Sequence, residues 1–391
     1  MAANVHADWI PADVAECYFQ DTLCFDLPEK RDNYNKNEIL LLFKKDFPQG
    51  LVKQVMKDHG LESLSVNALD SMNLKLQVAS TNGQDPLEIE KKINRVYEEI
   101  EATTNNEYFT NASGVKKTSI GVYPKSLTGA SRALTLSNGE NILIGMVDGP
   151  VDIKHKDLKG KVIQHSLVDF NPESVAEMHH GTTIAGVLVS SNDRIGIAPN
   201  ARLLSVSAFE YTDENKARSS SAQVAQAIDY AISKKVDILN LSFSGGKDTL
   251  VKRMIKKAAD QGIVIVASSG NNNTDEPKYP AAYPRVITVT AVDHFSERYK
   301  MANRGKHIDL AAPGVGIMTI APGDRYDFAT GTSIAAAHVS GSIALFMSKN
   351  KRLDRLLITE TAKDLGKPGH DIDYGDGLLN IYSALERVVK R

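Results

Sequence analysis

Three residues of this 391-residue chain are of the types that together turn a serine into a nucleophile, and they lie far apart in the sequence. Ser333 stands in Gly331-Thr332-Ser333, ahead of an apolar, alanine-rich run from Ile334 through Met347 that reads as a well-buried helix. At the first turn of such a helix, unpaired backbone N–H groups and the positive end of the dipole favour a developing negative charge. A serine hydroxyl attacks poorly until a base takes its proton, and the base must be held in one tautomer by a carboxylate. His180, in His179-His180-Gly181-Thr182-Thr183, opens an apolar helix, and Asp148 follows the apolar run Ile142 to Val147. Asn271, just past Ser268-Ser269-Gly270, can present an amide to the oxyanion of a tetrahedral intermediate. Taken singly, each has an ordinary alternative: Ser333 as a helix cap, Asp148 as a turn former, His180 as polar surface.

The elements around these residues decide whether they can meet. Apolar runs of strand length at 141–147, 201–207, 236–242 and 263–267 alternate with helical segments near 180–190, 219–234 and 248–260. Near-continuous apolar strands separated by helices mean an α/β fold, a parallel sheet with helices on both faces, whose active groups gather at the carboxyl ends of the strands. The texture before that is different. Residues 1–36 show no sustained period and read as an amino-terminal extension ending in a polar run. Residues 37–112 read as strand 38–44, helix 49–59, strands 61–69 and 72–79, helix 86–102 and a strand near 107–110, the order of a small ferredoxin-like α+β domain. From 113 to 141 the chain is rich in Gly, Ser, Lys and Pro, which suits a linker or a surface-hugging arm.

Composition narrows the function classes. The chain is 42% hydrophobic and 24% charged with a formal net charge of -2, ordinary for a globular protein and without the basic balance that would suggest nucleic acid. Its two cysteines, Cys17 and Cys24, lie outside every motif, and their spacing does not decide between free thiols and a small loop. The start lacks a charged region followed by an apolar run, and no apolar stretch is long enough to span a bilayer, so the expectation is a soluble cytoplasmic protein with no membrane partner.

In order along the chain, Asp148-Gly149-Pro150-Val151-Asp152, His180-Gly181-Thr182, Ile195-Gly196-Ile197-Ala198-Pro199, Asp237 through Gly245, Ser269-Gly270-Asn271 and Gly331-Thr332-Ser333 resemble the subtilisin-like serine proteases, or subtilases. The resemblance implies a subtilisin-like catalytic domain over 113–391 that hydrolyses peptide bonds of extended polypeptides through an acyl-enzyme. Carried over, it makes Ser333 the nucleophile, His180 the general base and then acid, Asp148 the orienting carboxylate, and Asn271 with the Ser333 backbone N–H the oxyanion hole. Ser242, Phe243, Ser244 and Gly245 become an edge that pairs with substrate, and Lys278 falls at the floor of the specificity pocket. There it would favour an acidic side chain or else snorkel to solvent. No cofactor is implied. Asp157 matches one calcium ligand of secreted relatives, but the loop Ser190 to Arg194 is shorter than theirs, so no metal is expected.

The chain departs from the family pattern at Gly149-Pro150, where a hydroxyl residue usually follows the aspartate, at Thr183 and at Ala337. The stretch Asp-Gly-Pro-Val is similar to one in cyanobactin-maturation proteases. The resemblance also gives 37–112 a role, an inhibitory prodomain acting as intramolecular partner, with self-cleavage expected within 106–116. Two alternatives stand beside this expectation: a non-catalytic subtilase-fold protein that binds peptides, and a maturation protease for one dedicated precursor.

Overall fold

The computed structural model describes residues 33–110, 113–114, 123–211 and 217–390. The two cysteines and nearly all of the extension 1–36 lie outside the described residues. The first elements are β1 (Tyr34–Lys44), α1 (Gln49–Asp58), β2 (Glu62–Leu69), β3 (Leu74–Ser80), α2 (Pro86–Val96) and β4 (Ile100–Phe109). The four strands are antiparallel in the order β2-β3-β1-β4. Alternation along β1 divides its side chains between two cores. Ile39, Leu41 and Phe43 meet Val52 and Val55 of α1 and Ile89 and Ile93 of α2, whereas Leu40 and Leu42 join a different cluster on the other face. Helix α2 ends at Val96, not at 102: Val96 is exposed, and Ile100, whose spacing continues the helical period, is the first residue of β4. The β-branched Thr103 and Thr104 that follow suit a strand, and both are buried in one.

After β5 (Ser113–Gly114) come two single-turn helices, α3 (Pro124–Leu127) and α4 (Ala130–Ala133). Ala130 and Ala133 are fully buried, so this part of the presumed linker is built into the core. The central sheet is made of β6 (Leu143–Asp148), β7 (Val162–Ser166), β8 (Arg202–Ser207), β11 (Ile238–Leu241), β13 (Val264–Ser268), β14 (Val286–Val292) and β15 (Leu310–Pro313). All seven run parallel in the order β15-β14-β13-β11-β6-β8-β7. Shorter strands lie outside it: β9 (Glu210–Tyr211), β10 (Ala217–Ser220), β12 (Ser244–Gly245), β16 (Ile317–Ala321) and β17 (Arg325–Thr330).

Both faces of the sheet are covered. Helices α5 (Val175–Val189) and α8 (Thr332–Lys349) pack with Ile144, Met146, Val266 and Val289 on one face. Helices α6 (Ser221–Ser233) and α7 (Thr249–Asp260) pack with Val147, Val206, Leu239 and Ile265 on the other. Leu40, Leu42, Leu76 and Tyr108 of the first unit share that second cluster, so its four-stranded sheet is closed on one side by α1 and α2 and on the other by the α6 layer.

Candidate active site

Three neighbouring strands deliver three of the predicted residues. In the register of the sheet Val147 of β6 lies beside Leu241 of β11, and Leu241 beside Ala267 of β13. The residues just past these positions are therefore Asp148, Ser242 and the segment leading to Asn271, all at the carboxyl edge where a parallel sheet collects its functional groups. His180 comes from α5, which is capped by Ser174 and starts at Val175, so the histidine sits in the second turn and not at the opening. Gly181 explains how that turn comes so close: a Cβ there would lie 2.4 Å from the Gly149 carbonyl oxygen and 2.5 Å from that of Pro150. His180 Nδ1 and Asp148 Oδ1 are 2.6 Å apart, both residues buried. The same oxygen accepts from the Gly149 N–H at 2.7 Å. Asp148 Oδ2 is buried with no hydrogen-bond partner among the described residues, as follows from a glycine standing where a hydroxyl residue would reach it. His180 Nε2 is likewise buried and unpartnered.

Ser333 is the second residue of α8, where its backbone N–H is one of those the helix leaves unpaired. Its hydroxyl donates to the Ser242 carbonyl at 3.0 Å, and the Ser242 hydroxyl donates back to the Ser333 carbonyl at 3.1 Å. The Ser333 hydroxyl thus rests on the strand end rather than on His180. Asn271 is held from the same helix: its Oδ1 accepts from the Thr332 N–H at 3.0 Å and from Thr332 Oγ1 at 3.0 Å. Those two donors fix which way the amide is turned, with the oxygen on Thr332 and the NH₂ directed away from it. Thr332 Oγ1 accepts in turn from the Gly270 N–H at 3.1 Å. The buried Asn303 secures the rest of the loop, accepting from the Asn272 and Thr274 N–H groups and donating to the Ser269 carbonyl. Thr332 and Asn303 escape sequence reasoning because their part is to hold backbone.

The predicted edge Ser242–Gly245 is occupied by the chain itself. Phe109 and Tyr108 at the end of β4 pair with Ser244 and Gly245 of β12 on one side. Phe109, Tyr108 and Glu107 pair with Arg218, Ser219 and Ser220 of β10 on the other. Beyond them the Thr110 N–H donates to the Ala217 carbonyl at 3.3 Å. Ser113 and Gly114 then pair with Thr330 and Ala329, just ahead of Ser333. The described residues on either side of 111–112 thus pair with different strands, β10 and β12 before them and β17 after. The β10 wall was not foreseen, since a strand that pairs through its backbone carries no side-chain signature. Lys278 precedes Tyr279, which exchanges two backbone hydrogen bonds with Gly245, and it puts its ammonium on the Glu276 carboxylate at 3.2 Å. Asp157 accepts from the Tyr326 hydroxyl at 3.0 Å, and the Asp193 carbonyl in the short loop accepts from the buried Lys125 ammonium at 2.5 Å. Burial pushes that lysine down to about 8, against the pull of Asp193.

With this geometry established, known proteins supply the context. Subtilisin E from Bacillus subtilis (strain 168) is 33% identical over 266 residues, which cover 63% of this chain and 66% of that protein. Subtilisin from Bacillus pumilus is 32% identical over 264 residues, covering 63% of this chain and 92% of the relative. The chain therefore spans just under two thirds of the length of subtilisin E and nearly all of the shorter relative. The fold is shared with the crystal structure of fervidolysin from Fervidobacterium pennivorans, described as a keratinolytic enzyme related to subtilisin. That match has a TM-score of 0.76 and 23% identity, and covers 92% of this chain and 62% of the other. The model of the subtilase family matches residues 139–377, from just ahead of β6 to beyond Ser333 and α8. Well over half of the chain falls inside that match, and the chain belongs to the subtilase family.

Proposed function

We propose that the chain is a serine endopeptidase made as a zymogen that cuts itself between Thr110 and Ser113, then remains blocked by the segment it has cut off. The reaction follows from the groups at the carboxyl edge. Ser333 Oγ turns from the Ser242 carbonyl to His180, attacks the peptide carbonyl carbon and gives its proton to Nε2. Asp148, bound to Nδ1, keeps that nitrogen protonated and stabilises the imidazolium. The oxyanion takes hydrogen bonds from the Asn271 amide and the Ser333 N–H at the start of α8. His180 then protonates the leaving amine, the C–N bond breaks to give an acyl-enzyme, and water repeats the sequence to release the acid.

The observation that carries the reading is the pairing of β4 with the cleft strands β10 and β12 and of β5, four residues further on, with β17, which leads into Ser333. A substrate read through its backbone needs this extended pairing. Contacts beyond the cleft support a lasting block. The Asp229 carboxylate of α6 accepts from the Asp70 and Ser71 N–H groups, both at 2.8 Å, and Arg253 of α7 pairs with Glu101 of β4.

Mass spectrometry of freshly purified wild type and Ser333→Ala tests the proposal. Wild type should appear as two fragments divided between Thr110 and Ser113, and the variant as one chain; equal processing of both would sink it. Once the cut-off segment has been removed, a fluorophosphonate should label Ser333 in the wild type. Peptide hydrolysis should fall on the order of 10⁶-fold in the variant, a figure known for subtilisin itself rather than read off this geometry.

A further inference from the structure

Two residues before Tyr108, the chain in the cleft is held by a side chain as well as by strand pairing. Asn106 is buried at the start of α6 and α7. Its Nδ2 donates to the Lys247 carbonyl and to Asp248 Oδ2, both at 3.2 Å, and its Oδ1 accepts from the Thr104 hydroxyl at 3.0 Å. Its backbone N–H donates to Ser221 Oγ at 2.8 Å, and the Ser221 hydroxyl donates on to Asp248 Oδ2. Any buried amide must find partners, so satisfaction alone assigns nothing. These partners are set apart by where they stand and how they are held. Ser221 follows Ser220, the last residue of β10 to pair with β4, so a chain extended along β10 runs on into it. Asp248, itself buried, is fixed from behind. Its Oδ1 caps α7 by accepting from the Val251 N–H at 2.9 Å. The Tyr283 hydroxyl accepts from the Asp248 N–H at 2.7 Å and donates to the Asp248 carbonyl oxygen at 2.6 Å. The groups that receive the amide are thus positioned by Ser221, Val251 and Tyr283, not by the first four strands.

Resting on the peptidase reading, we infer that Asp248, the Lys247 carbonyl and Ser221 form a subsite for asparagine in polypeptide substrates, two residues before the one that pairs with Gly245. Asp248 is the specificity-determining residue, and Asn106 fills the subsite while the chain's own segment lies in the cleft. A carboxamide carries the two donors that the Lys247 carbonyl and the Asp248 carboxylate need. Aspartate in the same place sets acceptors against both. Alanine leaves them without a donor where water is excluded, and a site built to hydrogen-bond a group rejects the analogue lacking it.

The test uses the full-length protein after self-cleavage and removal of the cut-off segment, its active sites counted by fluorophosphonate labelling. The substrates are the peptide Thr-Thr-Asn-Asn-Glu-Tyr-Phe-Thr-Asn-Ala-Ser-Gly, the sequence of residues 103–114, and the same peptide with Asn106→Asp or Asn106→Ala. The expected result is a kcat/KM on the order of tenfold or more higher for the asparagine peptide than for either of the others. In Asp248→Asn, which keeps an oxygen to cap α7 and loses the carboxylate, the asparagine-to-aspartate ratio should fall severalfold towards one. Should that variant fail to fold, the wild-type comparison decides by itself. Equal rates for the three peptides in labelled wild type would assign the contacts to holding the first four strands alone and overturn the inference, leaving the peptidase reading intact. A ratio unchanged in Asp248→Asn would do the same. Absence of both labelling and hydrolysis would overturn the peptidase reading, and this inference with it.

Discussion

Thr332 joins α8, the helix of Ser333, to the Asn271 loop through one hydroxyl, which accepts from Gly270 and donates to Asn271. Without it the Asn271 amide keeps the Thr332 N–H but loses the second contact that sets its angle. Because the amide acts on charge that develops only in the transition state, the loss should appear in turnover and not in binding. Thr332→Val is therefore expected to lower kcat about tenfold with KM nearly unchanged, on steady-state kinetics with a peptide substrate. A rise in KM at constant kcat would mean that the hydroxyl shapes the cleft instead. Gly149 acts at the same scale: Asp148 Oδ2 has no donor among the described residues, while the contact to His180 is made by Oδ1.

At the scale of elements, α8 carries a second consequence beside Ser333. It is buried from Thr332 through Met347, and His338 lies within it, with Nδ1 at 3.0 Å from the Ile334 carbonyl oxygen. Burial pushes this histidine down to about 4, outweighing the carbonyl groups that favour its charged form. The folded protein thus keeps the ring neutral where the unfolded chain, titrating near pH 6.5, binds a proton. Stability contributed by the neutral ring is fully present above pH 6.5 and is lost as pH falls towards 4, by an amount on the order of a few kcal/mol. Urea unfolding followed by circular dichroism should show wild-type stability dropping across that window more steeply than in His338→Gln. Parallel slopes for the two proteins would place the acid sensitivity elsewhere. Helix α5 shows a different constraint, since it reaches Asp148 only because position 181 has no side chain.

On the scale of the whole molecule, the first four strands are held to the α6 layer by apolar contacts and by a small number of directed polar ones. Asp229 supplies two of the latter, accepting from consecutive N–H groups at the short 3₁₀ turn Asp70–Met72. Hydrogen bonds to a charged group are worth about 1.5 to 3 kcal/mol each, so losing both, about 3 to 6 kcal/mol, should loosen the unit on the order of a hundredfold to ten-thousandfold. After self-cleavage, the amino-terminal fragment of wild type should coelute with the remainder on gel filtration. In Asp229→Ala it should separate at lower concentration, with faster recovery of peptide hydrolysis. Unchanged coelution would assign the hold to the shared apolar cluster and the cleft pairing alone.

The sequence by itself determined the parallel sheet, because fully covered strands must be apolar along their length, and it singled out Asp148, His180, Asn271 and Ser333 as candidates, because catalysis demands those side chains next to recognisable strand and helix ends. It also determined the order strand, helix, strand, strand, helix, strand before residue 112. It misplaced the end of α2, where Ile100 happens to continue a helical spacing, and the role of 124–133, where short helices of small residues look like a linker. Only the tertiary structure decided what fills the cleft, since backbone pairing between β4, β10 and β12 is open to almost any side chain. The same holds for Asp248, which in sequence is no more than the cap of α7. Its partners Ser221 and Asn106 come from two separate segments of the chain, and only folding brings an amide and a hydroxyl to one buried carboxylate.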